Sequence, residues 1–375
     1  MATCKGAWKL QEVRDQILAG EWIQYDLNLD PGQLWSWGYN GCGQLGDGTT
    51  TNRSSPVQIP GTQWVDIDSS NHASSAARKS DGTLWVWGSN AYGKLGDNST
   101  IDKSSPVQIP GTQWNDISSA RIAAARKTDG TLWTWGYGRY GGLGIDFAGA
   151  TAQRSSPVQV PGTAWNDVSS GSSSVVARKT DGTLWSWGSN GYGRLGDNTT
   201  TQRSSPIQIP GTAWSNVSGG NNHSLALKTD GTLWAWGPNN WGQLGDGTTT
   251  NRSTPIQVPG NQWNDVHSGS SHSLARKTDG TLWSWGICSN GLIGDGTITA
   301  RSSPVQVPGN AWNDIASGSH SSARKTDGTL WIWGHNSNGQ LGQNDITQRS
   351  SPVQVPGTLW SDIVASNTFT LARKA

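Results

Sequence analysis

Histidine is the residue type in this sequence that could most readily do chemistry, because it recurs at one repeat position in His223, His272 and His320. Such a column could bring metal ligands together, but no carboxylate or cysteine shares it. The spacing also gives no Ser-His-Asp relay, no glycine loop that would cradle phosphate and no distinctive pair of carboxylates. The sequence therefore predicts a protein that is not an enzyme and has no metal site and no cofactor.

The three cysteines, Cys4, Cys42 and Cys288, do not change this expectation. They are odd in number and widely spaced, and no two of them form a Cys-x-x-Cys pair. Neither a disulfide framework nor a zinc site is expected.

A second set of residues suits binding. Tyr92, Tyr140, Tyr192 and Trp241 come from consecutive repeats and would form an aromatic arc. Tyrosine and tryptophan are enriched at interfaces because they combine apolar area with a polar group. The predicted binding residues are His72, Tyr92, Arg121, Arg139, Tyr140, Tyr192, Asn222, His223 and Trp241.

The elements that must position these residues come from an internal repeat. The motif Trp-x-Trp-Gly occurs seven times, first at Trp35–Gly38 and last at Trp331–Gly334, and a further Trp follows Pro-Gly-x-x in every repeat. One unit, residues 263–307, shows four short strand segments separated by turn signals such as Lys-Thr-Asp-Gly. Four strands per unit predict blades of a β-propeller.

The two ends of the repeat region complement each other. The chain stops at Ala375, where every other repeat turns into its third strand, and it enters the repeats at a third strand near Leu34. We therefore predict that Leu34–Gly38 pairs with Phe369–Lys374, which closes a ring of seven blades. The small residues that follow Pro-Gly-x-x-Trp predict that this strand is innermost, and the Trp-x-Trp pair should pack between blades.

Antiparallel blades would sort their loops onto two faces. The loops between strands two and three and between blades are nearly uniform, whereas the loops between strands one and two and between strands three and four diverge. We call these the uniform face and the variable face. Binding sites on rigid scaffolds lie in divergent loops, so all the predicted binding residues belong to the variable face.

Composition and charge exclude several classes of partner. Lys and Arg number 27 against 26 for Asp and Glu, so no overall field favours nucleic acid or an anionic membrane. No stretch approaches 18 apolar residues, and residues 1–20 lack the pattern of a signal peptide. We expect no nucleic-acid binding, no membrane insertion and no classical secretion.

The unit Gly-x-x-His-Ser-Leu-Ala-x-Lys-x-Asp-Gly-x-Leu-x-x-Trp-Gly-x-Asn-x-x-Gly-Gln-Leu-Gly, best preserved at His223–Gly245, resembles the regulator of chromosome condensation repeat family. The resemblance covers about residues 30–375 and implies a seven-bladed propeller closed by both termini. It also implies that the His column has a hydrogen-bonding role and that an aromatic before the loop glycine can serve local packing. Members include a nucleotide exchange factor for a small nuclear GTPase, ubiquitin-ligase-associated propellers and a secreted bacterial β-lactamase inhibitor, so the fold alone does not give the function.

Residues 1–29 lie outside this resemblance and form a predicted leader, with the propeller at 30–375. Residues 5–15, Lys-Gly-Ala-Trp-Lys-Leu-Gln-Glu-Val-Arg-Asp, and residues 19–23, Ala-Gly-Glu-Trp-Ile, resemble the short leader found on structural proteins of marine tailed phages. Leu10, Val13, Ile17 and Leu18 fall on one stripe of a short amphipathic helix. With Trp8 and Trp22 they are the predicted attachment residues, although the helix could instead fold back as a cap on the propeller.

These features lead to one function hypothesis and two alternatives. The first is a phage virion protein that docks onto other virion proteins through residues 1–29 and presents the variable face to a host-surface protein or glycan. The second is a cellular protein-interaction propeller, which would place the chain in the cytoplasm. The third is a nucleotide exchange factor or chromatin binder of the same repeat family.

Overall fold

The chain forms a ring of seven four-stranded antiparallel sheets, each strand hydrogen-bonded to its neighbour in order. A computed structural model describes residues 32–147 and 152–375. The predicted all-β, seven-bladed fold is confirmed. The predicted helical leader, with Trp8, Leu10, Val13, Ile17, Leu18 and Trp22, lies outside the described residues.

Six blades are continuous in sequence, and each runs from its innermost to its outermost strand. Their strands are, in blade 1, β3 (Trp64–Ser70), β4 (Ser74–Lys79), β5 (Leu84–Gly88) and β6 (Lys103–Gln108); in blade 2, β7 (Trp114–Ser118), β8 (Ile122–Lys127), β9 (Leu132–Tyr137) and β10 (Gln153–Gln159); in blade 3, β11 (Trp165–Ser170), β12 (Ser174–Lys179), β13 (Leu184–Gly188) and β14 (Arg203–Ile209); in blade 4, β15 (Trp214–Gly219), β16 (Ser224–Lys228), β17 (Leu233–Gly237) and β18 (Arg252–Val258); in blade 5, β19 (Trp263–Ser268), β20 (His272–Lys277), β21 (Leu282–Gly286) and β22 (Arg301–Val307); and in blade 6, β23 (Trp312–Ser317), β24 (His320–Lys325), β25 (Leu330–Gly334) and β26 (Arg349–Gln354).

Blade 7 combines the two ends of the chain, as the sequence predicts. Its strands are β27 (Trp360–Ala365), β28 (Phe369–Lys374), β1 (Gln33–Gly38) and β2 (Arg53–Ile59). The β1–β28 ladder pairs Gln33 with Lys374 and Gly38 with Phe369. In an open array β1 and β28 would each be an unpaired edge, and their pairing removes both edges.

The seams between blades are closed by the second Trp of each Trp-x-Trp pair. In all seven repeats its indole N–H donates to a loop carbonyl of the preceding blade at 2.9–3.1 Å, as from Trp87 to Gln44 and from Trp187 to Gly142. These indoles are fully buried against aliphatic residues of the preceding blade. The prediction that this motif packs between blades is confirmed.

The first Trp of each pair lies toward the uniform face. There it meets the Trp that opens the innermost strand, and a Lys ammonium lies over both rings; in blade 1 Lys79 Nζ is 4.8 Å from the ring centroids of Trp64 and Trp85. The same arrangement recurs in every blade. Cation–π contact and apolar burial together explain why Lys, and not a shorter polar residue, ends the second strand.

The innermost strands touch around the axis and are tied by a repeated hydrogen bond. The side chains of Asp68, Ser118, Ser169, Ser218 and His267 each accept from the backbone N–H of the next innermost strand. Ala316 and Val364, at the same position in blades 6 and 7, cannot do so. Nearer the uniform face, six blades carry an Asp–Arg pair at 3.5–3.8 Å, whereas blade 4 has Asn216 and Leu227 in place of both charges. Blade 4 therefore lacks both the Asp and the Arg, and neither charge is left without its partner.

Candidate functional site on the variable face

The two classes of loop lie on opposite faces of the ring. Loops of the variable face bond to one another, as Tyr137 N does to Arg121 O, whereas the Asp-Gly turns bond to the connections between blades, as Trp114 N does to Gly82 O. Gly32 O accepts from Trp64 N in the same way, and Ala375 N donates to Leu359 O. Both ends of the described chain therefore lie on the uniform face.

The loops between strands three and four adopt two conformations, and one side chain distinguishes them. In blades 4, 6 and 7 a Gln after the loop glycine folds back, and its Oε1 accepts at 2.9 Å from the backbone N–H of Trp241, Asn338 or Cys42. Blades 1, 2, 3 and 5 lack this Gln and form a single 3₁₀ turn instead. In those turns the residue before the glycine has φ between 62° and 67°.

Three of these four left-handed residues are tyrosines, namely Tyr92, Tyr140 and Tyr192, and the fourth is Asn290. Asn adopts this region readily, but a tyrosine there costs about 1–2 kcal/mol of backbone strain. The following glycine fixes the turn, since a Cβ on Gly193 would lie 2.4 Å from Ser253 Cα of the next blade. Left-handed residues also precede the opening Trp of every blade on the uniform face, so what distinguishes these three turns is that tyrosine occupies them.

The predicted residues of blades 1 and 2 form one cluster. The rings of Tyr92 and Tyr137 are 4.9 Å apart at 60°, and the Arg139 guanidinium lies 4.8 Å from the centre of the Tyr140 ring. Arg121 lies 6.0 Å from the centre of the Tyr137 ring. Two blades thus combine aromatic surface with two guanidinium groups.

The predicted residues of blades 3 and 4 form a neighbouring cleft of about 180 Å³. Its lining includes Tyr192, Arg194, Asn222 and Trp241, with Tyr192 64% and Trp241 52% exposed. Arg194 Nε donates to Gly191 O at 3.2 Å. Burial lowers the pKa of Arg194, but a guanidinium remains charged at any ordinary pH.

Arg194 and Tyr137 are the residues of this site that are absent from the sequence-based set. A signal for Arg194 is present in the repeat, because it occupies the position where Gln44, Gln243 and Gln340 cap their own loops. We call Tyr92, Arg121, Tyr137, Arg139, Tyr140, Tyr192, Arg194, Asn222 and Trp241 the aromatic–arginine sector.

His72 is placed differently from the other predicted binding residues, because it belongs to a polar plug across the mouth of the central channel. Its Nε2 lies 3.1 Å from Ser172 Oγ, and Asn71 donates to Asn221 across the ring at 3.1 Å. The plug continues through Ser270, Ser319 and Asn367. Burial, with Arg121 and Lys94 nearby, lowers the pKa of His72 to about 4.

His223 is buried and does not contribute to the exposed surface. The imidazoles of His223, His272 and His320 lie within hydrogen-bonding distance, 2.7–2.8 Å, of a hydroxyl of the next blade. Each hydroxyl donates its own hydrogen to a loop carbonyl, so Nε2–H is the donor in these bonds. A hydrogen-bonding role follows for the column, and the described residues contain no cluster of three or more His, Cys, Asp or Glu suited to a metal ion.

This geometry predicts a pH effect that can be isolated at His272. A second proton would sit on Nδ1, which is buried without a partner, and burial, with the neighbouring histidines, lowers the pKa to about 3. In the unfolded chain the pKa is about 6.5, so below that pH only the unfolded state gains the proton and native stability falls. Relative to His272→Asn, the wild type should lose about 1.4 kcal/mol per pH unit between about pH 6 and pH 4. Urea unfolding across this range measures the difference, and parallel stability curves would contradict the assignment.

None of the helical segments within residues 32–147 and 152–375 has the length and apolar character needed to span a bilayer.

Comparison with known proteins gives a consistent family assignment. Residues 117–372 match the RCC1-like domain, and residues 31–76 and 81–125 match the regulator of chromosome condensation (RCC1) repeat. The fold is similar to that of human WBSCR16, with 18% identity, a TM-score of 0.82, and coverage of 92% of this chain and 99% of that one. It is also similar to Prp20p from Saccharomyces cerevisiae, whose structure is described with its binding properties to Gsp1p and histones, with 20% identity, a TM-score of 0.81 and 92% of each chain covered.

A second structure of the yeast protein shows Kap60 bound to it, and it shares 18% identity with this chain at a TM-score of 0.81, covering 95% of this chain and 91% of that one. At these identities the solved structures establish the fold, whereas the matched domain covers more than half of the chain and establishes the family. The chain belongs to the RCC1-like domain family.

Proposed function

We propose that this chain is a protein-binding propeller whose partner docks on the aromatic–arginine sector of the variable face. The observation that carries the proposal is the asymmetry of an otherwise repetitive ring, because exposed aromatics and strained tyrosines are concentrated on blades 1–4. Large aromatics and arginines on a rigid scaffold are the residues that contribute most to protein–protein affinity. The proposed surface does not include His72, which is hydrogen-bonded within the polar plug, or His223, which is buried between two blades.

The comparisons support a cellular interaction protein better than a virion protein. Prp20p is described as binding Gsp1p and histones, which are proteins, and this supports a protein partner in preference to a glycan. The virion hypothesis and its attachment residues depend on residues 1–29, outside the described residues, so the virion location stays a prediction. Nothing in the site geometry favours catalysis over binding, and binding is the simpler use of a surface without a cluster of catalytic groups.

Paired surface variants test the proposal. Tyr192→Asn with Trp241→Asn places at both positions the residue that Asn290 and Asn338 supply in blades 5 and 6, so the loops should still form. Asp181→Asn with Asp230→Asn is the matched change on the uniform face of the same blades. In affinity capture from the source organism followed by mass spectrometry, the first pair should lose its specific protein by roughly tenfold or more, because each buried aromatic anchor contributes about 2 kcal/mol. If the second pair loses the partner and the first retains it, the binding face is the other one.

A further inference from the structure

Charge pairing follows a rule in this molecule, and the aromatic–arginine sector breaks it. Outside this sector, the arginines at two repeat positions pair with Asp, at the inner ring and at the start of the outermost strand, as Arg252 does with Asp246 at 2.8 Å. Arg154 of blade 2 is the exception, and its guanidinium lies 5.4 Å from the centre of the Phe147 ring. Among the residues that the structure describes, Arg121, Arg139 and Arg194 of the variable face have no ion-pair partner. The variable loops of blades 4 to 7 contain no Lys or Arg at all before the paired Arg of the outermost strand.

Arg194 differs most clearly from the paired arginines. Three other repeats have Gln at its position, and that Gln stabilises its own loop, whereas Arg194 gives up the cap and leaves Tyr192 in a left-handed conformation. The result is a guanidinium that shares one cleft with the exposed rings of Tyr192 and Trp241 and makes one backbone hydrogen bond. A guanidinium has five donors in a fixed fork that suits a carboxylate, so most of its capacity is free for a ligand.

The size of the cleft restricts the ligand. About 180 Å³ is smaller than the 300–1,000 Å³ typical of cofactor and drug sites, but it is enough for one side chain. Arg139 and Arg121 offer further cationic positions on the adjacent blade, so more than one acid of the same partner can be neutralised. Few acids on the rim compete for these arginines, because the loop aspartates of the other six blades are already paired with Arg or Lys. In blade 2, Asp146 accepts from the hydroxyls of Ser204 and Ser205, and in blade 1 Asp102, near Lys94, accepts from Asn90 N.

We infer that the partner contributes an acidic segment, in which an Asp or Glu carboxylate binds Arg194 between Tyr192 and Trp241 and neighbouring acidic residues meet Arg139 and Arg121. This inference rests on the proposed function and names the chemistry of the partner. Charge complementarity supplies specificity and a faster association rate, and the aromatic rings supply the apolar contact that holds the segment.

A selection from a display library of random short peptides on the immobilised full chain tests the inference. The enriched peptides should be acidic and contain an apolar residue, and fluorescence anisotropy should show that Arg194→Gln weakens them by roughly 10- to 100-fold, as expected for a charged hydrogen bond. Arg349→Gln removes the same charge from blade 6 of the same face and should change binding by no more than about twofold. The Arg194→Gln variant should fold, because Gln occupies the equivalent position in three other repeats. A thermal midpoint equal to that of the wild type would verify this.

Several outcomes would overturn the inference. Enriched peptides that are neutral or basic, equal binding to Arg194→Gln, or equal loss in Arg349→Gln would each do so. Heparin binding that depends on Arg194, without peptide binding, would assign the sector to an anionic polysaccharide instead. The paired surface variants report separately on the face, so a partner that is lost in Tyr192→Asn with Trp241→Asn but is not acidic would overturn this inference and leave the proposed function standing.

Discussion

Replacing Trp187 by Ala should lower the free energy of unfolding by about 3–5 kcal/mol, whereas Trp241→Ala should change it by less than about 0.5 kcal/mol. Trp187 is fully buried between blades 2 and 3, packs edge-on against Trp165 at 6.0 Å and donates to Gly142 O at 3.1 Å. Truncation leaves a large cavity and an unpaired carbonyl. Trp241 is half exposed, so its removal costs little packing.

Urea unfolding of both variants measures this contrast. A third variant, Trp187→Phe, separates the contribution of the indole hydrogen bond from that of apolar packing. Phe retains most of the apolar area but has no N–H, so it should cost about 1–2 kcal/mol for the lost bond together with a modest packing term. Equal destabilisation at positions 187 and 241 would show that the two kinds of Trp do not have the separate structural and binding roles described above.

Removing residues 367–375 should destabilise the whole ring and not only its last repeat. This segment contains β28, which lies between β27 and β1 in blade 7. Phe369 and Leu371 are fully buried, and their exposure alone costs about 3–6 kcal/mol. The truncation also opens two strand edges, which invites aggregation.

The matched control is deletion of Ala375, which should cost no more than about 1.5 kcal/mol because one backbone bond to Leu359 O is lost. Calorimetry should show one lowered transition for the larger truncation, and a synthetic peptide of residues 367–375 should restore part of the stability. A truncated chain that loses one repeat locally while the others melt at the wild-type temperature would indicate an open array.

The ring and its closure could be predicted from sequence because they depend on local, repeated signals. Trp-x-Trp-Gly, the Asp-Gly turns and the complementary ends at Leu34 and Ala375 each recur or match at fixed spacing, and one unit of four strands accounts for all of them. Segregation of the loops onto two faces then follows from antiparallel pairing. The four strands predicted within residues 263–307 are present as β19, β20, β21 and β22.

The details of the site were less accessible because they depend on side chains that meet only in the folded ring. Asn71 and Asn221 are 150 residues apart in sequence, yet they join in the plug that also takes up His72. The role of Arg194 depends on the absence of a Gln cap, which becomes visible only when the capped loops are compared with the uncapped ones. His223 shares its column with divergent loop residues, but its imidazole turns into the seam.

The most direct test of the central claim is the position at which a partner crosslinks to the chain. Benzoylphenylalanine placed at position 241 on the variable face should form a discrete crosslinked species with the natural partner, whereas the same group at position 261 on the uniform face should form none. Crosslinking through position 261 alone would contradict the account, since the partner would then bind the face that carries the repeated turns and the chain ends.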